Sequence, residues 1–243
     1  MPKPSKDRDR RASVVEAMRR EQERAERRRT VVVIAACVAV GVVIIGAAAV
    51  PLLRQHRLSS GSLADIGASA DAAACRDVVT RKATGNQDHK PVGTTIRYPD
   101  APPADGPHYP TPADFSRKFY TADDRPKLEY LVHNLEHGYT ILWYDATVAR
   151  DKDELATVKA VAATFEGSKL TDKFIAAPWT AADGRAFPDG AHVALTHWSA
   201  GADPTDTTKQ RGVWQYCGRP SGAVVRSFTR DYPYSDSPEP QGA

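Results

Sequence analysis

Apolar residues recur along this chain in three patterns, and each predicts a different kind of element. The first is an unbroken run at residues 31–53, VVVIAACVAVGVVIIGAAAVPLL, with no charged or strongly polar side chain. As a helix rising ~1.5 Å per residue it is roughly 34 Å long, enough to cross a hydrocarbon core of ~30 Å. The second pattern is helical spacing. In DDRPKLEYLVHNLEHG, acidic residues open the segment, Pro126 suits a first turn and Gly138 suits a C-terminal cap. Leu128, Leu131, Val132 and Leu135 then lie within about 100° of one another on the wheel. RDKDELATVKAVAATFEG at 150–167 places Leu155, Val158, Val161, Ala162 and Phe165 on one face and closes at Gly167. A short final helix is predicted at 221–232, with Val224, Val225 and Phe228 on one side. The third pattern is runs rich in aromatic and apolar residues: YTILWYD (139–145), DKFIAAPW and AHVALTHWS, each read as a strand.

Helices and strands do not alternate regularly, so the fold class is α+β rather than a doubly wound parallel sheet. The predicted organisation is a single compact domain at 75–234 behind one N-terminal transmembrane helix. A basic tail at 1–30 precedes the span at 31–53, and a flexible tether follows at 54–74, where the sequence is small and polar. The Pro-rich end at 235–243, SDSPEPQGA, is expected to be disordered and fray. Inside the domain, PVGTTIRYPDAPPADGPHYPTPADF (91–115) is too dense in proline for a helix. It predicts a long ordered loop with one short strand at 94–98, and loops of that length are often functional.

Charge sets the topology. Residues 1–30 carry eleven Lys/Arg against six Asp/Glu, a net of +5, whereas the whole chain carries +3. The remainder is therefore slightly acidic, which sets aside a nucleic-acid surface on the folded part. Basic residues concentrated before the apolar run place the N-terminus in the cytoplasm and the domain outside the cell membrane, with Arg54 and Arg57 too few to reverse the orientation. The run is too long for a signal peptide, so it reads as an uncleaved anchor, although small residues at 47–49 leave a cleavage site open. IAAC at 34–37 resembles a lipoprotein box but lies inside the apolar run.

Cysteine usage agrees with export. Cys37 falls within the span, leaving Cys75 and Cys217 as a candidate disulfide in an oxidising compartment, with two separate thiols as the rival reading.

The stretch LVHNLEHG carries the candidate chemistry. On the wheel His133 and His137 lie 40° apart, nearly opposite the apolar stripe, so they are expected off the core. At i and i+4 two imidazoles are within reach of one metal ion, but they need further ligands, and two solvated histidines are the plain alternative. His108, in DGPHYP, and His89, in NQDHKPVG, are the candidate partners, with Glu136 completing or orienting the set. His192 and His197 alternate with Val193, Leu195 and Trp198 and are read as structural, as are the tryptophans. His56 lies in the tether and has no expected role.

The segments HKPVGTTIRYPDAPPADGPHYP, LVHNLEHGYTILWYD, QYCG and YPYSDSPEP resemble the bacterial family designated domain of unknown function 3105, over roughly residues 75–240. Its H-N-L-E-H-G and P-H-Y elements correspond to His133, Asn134, Glu136, His137, Gly138 and His108. The turn before the P-H pair is ADG here rather than serine-glycine. The resemblance implies a basic N-terminus and one membrane span, and a motif set rather than a mechanism.

Three functions fit these residues. A divalent metal site built from His108, His133 and His137, with His89 or Glu136, suits Cu or Zn. Met1 and Met18 are the only methionines and lie in the tail, so a methionine-rich Cu(I) carrier is excluded. A zinc hydrolase is the second reading, since HNLEH fits H-x-x-E-H with Glu136 activating water, though a downstream carboxylate ligand is hard to find. The third is a non-catalytic envelope binding or assembly module with a protein partner. No G-x-S-x-G elbow or phosphate-binding glycine loop is present.

Overall fold

In the computed structural model the described residues are 16, 18–20, 26–35, 37–42, 62–85, 87–201 and 203–242. The chain divides into residues 1–54 and 55–243. In the first unit, 26–35 and 37–42 are helical. The rest of the expected span, the first part of the tether and most of the basic tail lie outside the described residues. Among the described residues no helix is long and apolar enough to cross a membrane.

The second unit is an α+β domain around one five-stranded mixed sheet. Its strands are β1 (Val79–Lys82), β2 (Thr140–Tyr144), β3 (Phe174–Pro178), β4 (Val193–Ser199) and β5 (Arg211–Cys217), in the order β1-β5-β4-β2-β3. Helix α1 (Leu128–Glu136) precedes β2; α2 (Ala146–Arg150) and α3 (Lys152–Ala163) link β2 to β3; α4 (Gly222–Asp231) follows β5. All pairings are antiparallel except β2 with β3. A parallel pair needs a crossover rather than a hairpin, and α2–α3 provide it. Asp145 and Asp151 start these two helices by accepting hydrogen bonds from the first free peptide N–H groups.

Strands β2 to β4 and helices α1, α3 and α4 fall where hydrophobic spacing predicts them, whereas the one-turn helix α2 is not predicted. The expected strand at 94–98 does not form; Thr94 N–H closes a turn on Pro91 O instead. Strands β1 and β5 carry no clear sequence signal. The four residues of β1, VTRK, are all exposed on a sheet edge, and β5 opens with Arg211 and Gly212.

Because side chains alternate along each strand, the sheet has two apolar faces. Leu142, Tyr144, Phe174, Val193, Leu195 and Val213 pack against α2, α3 and α4 through Val148, Val158, Val161, Val224, Val225 and Phe228. On the opposite face Ile141, Trp143, Ile175, Trp198 and Trp214 pack against Leu131, Val132 and Leu135 of α1 and against the proline-rich loop. The tryptophans are core residues, as expected. Cys75 and Cys217 form a disulfide across a separation of 142 residues, for which chain entropy gives roughly 4–5 kcal/mol.

Both ends of the domain extend further than composition suggests. Residues 62–74, expected as tether, are packed: Ile66 and Ala73 are buried, Ala68 N–H bonds Pro220 O, and Gly218 N–H bonds Ala73 O. A stretch of mostly small residues hides Ile66, which joins the core cluster of α4 with Leu63, Ala68 and Ala73 beside it. The C-terminal residues to 242 are also held, because the side chain of Lys173 donates to Pro240 O and Gly242 O and Ser237 is fully buried. Proline lacks an N–H but keeps a carbonyl acceptor, so a Pro-rich tail can be anchored through its oxygens.

Candidate metal centre

Helix α1 is buried on nearly every side. Its apolar stripe faces the sheet, as the wheel predicts. The stripe of His133 and His137, expected off the core, is covered too; His133 is 4 % and His137 7 % exposed. A wheel gives angles but not neighbours, and the neighbour here is the proline-rich loop.

Sequence fixes how that loop docks. The Asn134 side chain accepts from Ala113 N–H (2.8 Å) and donates to Ala113 O (3.1 Å), while Tyr109 N–H bonds Glu129 O. On the sheet side, Trp214 Nε1 and Tyr216 OH donate to Pro102 O and Ala101 O. The docked loop carries His108 over the helix, and a parallel bridge between His89 and His108 brings His89 beside it.

His89, His108, His133 and Glu136 each offer one ligand atom, and these four atoms lie within 4.8 Å of one another, close enough to hold a metal ion. Glu136 Oε2 is 2.9 Å from His108 Nε2 and 3.5 Å from His89 Nε2. Its other oxygen accepts from Gln87 N–H. Two contacts place a proton on each Nδ1. His108 Nδ1 lies 2.8 Å from Gly106 O, and His133 Nδ1 lies 2.6 Å from Tyr109 O. A carbonyl oxygen only accepts, so both Nδ1 atoms carry protons, and Nε2 is the ring nitrogen each residue turns to the centre. His108 Nε2 faces the carboxylate of Glu136 at 2.9 Å. Two acceptors tolerate that distance only with a proton or a cation between them.

Electrostatics agree with neutral, ligand-ready imidazole at His133. Burial pushes its pKa down to about 4, against the opposing hydrogen bond to Tyr109. For Glu136 burial acts upward, but the hydrogen bond with His108 and the charges of the surrounding imidazoles hold the carboxyl below its usual range. His89 is the exposed member of the four, with 36 % of its side chain accessible, and gives the centre a side open to solvent.

His137 stands apart from this group. Its Nε2 is 3.0 Å from His133 Nε2 and 3.4 Å from Glu239 Oε2, and it forms a second candidate group with Glu136 and Glu239. The five residues singled out by sequence thus divide into two overlapping sets that share Glu136. Glu239 was missed because it sits in the tail expected to fray. Gly138 explains part of its arrival: its φ is +91°, and a Cβ there would come within 2.3 Å of Tyr234 O. Glycine both caps α1 and admits the returning chain.

The remaining histidines are structural, as their strand pattern suggests. His192 Nδ1 pairs with Asp145, and fully buried His197 lies between Tyr139 O and Asp236 O. His56 lies outside the described residues.

No match was found among curated proteins or among solved structures. The family model described as protein of unknown function (DUF3105) matches residues 89–241, from the first histidine of the centre into the tail that carries Glu239. That span is more than half of the chain, which therefore belongs to this family.

Proposed function

We propose that the protein binds a divalent transition-metal ion, Cu or Zn, through His89, His108, His133 and Glu136, in a domain displayed outside the cell membrane by an anchor at 31–53. The carrying observation is the pair of Nδ1–H donors spent on backbone carbonyls, which leaves two Nε2 atoms as the inward-facing nitrogens of one group with a buried carboxylate. Metal-bound imidazoles are characteristically held this way, with the far N–H on a carbonyl and the near nitrogen on the ion. Three imidazoles and a carboxylate suit Cu(II) or Zn(II), and the disulfide removes the domain's two thiols as softer ligands. The disulfide also supports an oxidising compartment, and the basic cluster before residue 31 supports the orientation.

The hydrolase reading has weaker support. As water-activating base, Glu136 would need a free oxygen, yet Oε2 faces His108 and Oε1 accepts from Gln87 N–H. An envelope-partner role is also less favoured at this site, because its residues join loop and helix within the chain.

Metal analysis of the purified full-length chain tests the reading. At least one ion per chain is expected, lost in His108→Ala and Glu136→Gln. A wild-type protein with no Cu or Zn above background after loading and desalting would falsify it. Recovery of the chain in the membrane fraction, and of a variant lacking residues 1–53 in the soluble fraction, tests the anchor.

A further inference from the structure

Glu239 reaches the centre by an elaborate route. Its N–H bonds Glu136 O at 2.9 Å. Lys173 Nζ donates to His137 O, Pro240 O and Gly242 O, tying the helix end and the tail to one ammonium group. Gly242 crosses the His137 ring so closely that a Cβ would lie 2.5 Å from it. These main-chain contacts deliver one carboxylate to one imidazole beside a site that already holds four candidate ligands.

We propose that the centre is dinuclear: one ion on His89, His108 and His133, a second on His137 and Glu239, with Glu136 shared. This rests on the metal-binding reading above and adds a second site to it. Glu136 belongs to both ligand groups. The separation of His137 Nε2 and Glu239 Oε2 is 3.4 Å. Ligands ~2.0–2.2 Å from one tetrahedral ion stand roughly 3.4 Å apart, whereas an N–H···O bond prefers about 2.7–3.2 Å. Ions sharing a carboxylate lie ~3.5–4 Å apart in two-metal sites. The second site offers one imidazole and two carboxylates, a nitrogen and oxygen donor set that Cu(II) also takes.

The test is Cu(II) titration of the metal-free full-length chain, followed by stoichiometry and electron paramagnetic resonance. Wild type should bind two ions. The first should give the spectrum of an isolated Cu(II), and the second should diminish it by spin coupling rather than double it. Glu239→Gln, which alters a partly exposed side chain, should bind one ion and keep the isolated spectrum; His137→Gln should do the same, with circular dichroism confirming the fold. One ion in wild type overturns the dinuclear centre and leaves the single-site reading intact, whereas none overturns both. Two uncoupled ions, or two retained in Glu239→Gln, overturn the proposed second site.

Discussion

On one face of the sheet, Leu142, Tyr144, Phe174 and Leu195 meet Val158, Val161, Val225 and Phe228. On the other, Trp143, Trp198 and Trp214 share the space around α1 with His108, His133, Asn134 and Glu136, all buried. The first face follows the ordinary economy of burial, where apolar area leaves water and nothing needs a partner. The second removes a carboxylate and two imidazoles from water, which costs stability unless each is satisfied. A loop of prolines then covers them. The contrast separates the face that holds the domain together from the face that gathers its buried histidines and Glu136.

The largest expected effect is on the apolar face. Phe228 is 2 % exposed at the centre of that cluster, so Phe228→Ala should lower the unfolding free energy by ~3–5 kcal/mol in urea denaturation. Metal stoichiometry at saturation should not change, since no ligand sits on that face. Loss of bound metal from folded Phe228→Ala would merge the two faces into one unit and break the comparison.

On the polar face the expected loss is in binding. Ligand removal should weaken metal affinity by more than the roughly 10–100-fold that loss of an outer partner costs. For wild type, metal at a hundredfold excess over Kd adds about 2.7 kcal/mol to stability. Phe228→Ala should retain that increment, and Glu136→Gln should lose it, as read from Tm with and without metal. Equal increments in both variants would place the ion elsewhere.

How much of this could be read from sequence also differs between the faces. The helices of the apolar face follow from the spacing of Val158, Val161, Val224 and Phe228, because an amphipathic helix advertises its buried side. The i, i+4 pair in HNLEH marks the helix around which the group gathers, and DGPHYP and NQDHKP supply two further histidines that the fold brings beside it. The burial of His133 and His137 was not readable, because it depends on a loop folding back through Asn134, Tyr109 and Trp214 across dozens of residues. Glu239 and the docking of 62–74 escaped for a related reason. Each is held largely by backbone hydrogen bonds and a few buried groups, Ile66 in one and Ser237 in the other, within sequence whose average composition resembles a linker.

A smaller effect distinguishes the loop's own latch. Asp105 accepts from Thr84 N–H, and burial raises its carboxyl to about 6 despite that bond. A carboxyl raised above its unfolded value of ~3.9 stabilises fully below that pH, and the contribution disappears as pH rises through about 6. Asp105→Asn should therefore match wild type near pH 4 and exceed it above pH 6 by on the order of 1–3 kcal/mol. Thermal unfolding across that range checks it. A variant less stable at pH 7 would mean that the charged carboxylate contributes more at the loop than its burial costs.

The smallest effect is a polar group on the apolar face. Ser221 caps α4, its Oγ accepting from Val224 N–H, and Ser221→Ala should cost ~1 kcal/mol. The same segment receives the N-terminal residues: Gly67 bridges Ser221, Ala68 N–H bonds Pro220 O, and Gly222 N–H bonds Ile66 O. If residues 62–74 belong to the folded domain, loosening the cap should speed hydrogen exchange at Ala68 and Gly222 while leaving Ala113 and Tyr109 protected. Exchange that quickens equally at the proline-rich loop would show that the two faces open together. In that case the metal centre would share the stability of the apolar core instead of standing on its own loop contacts.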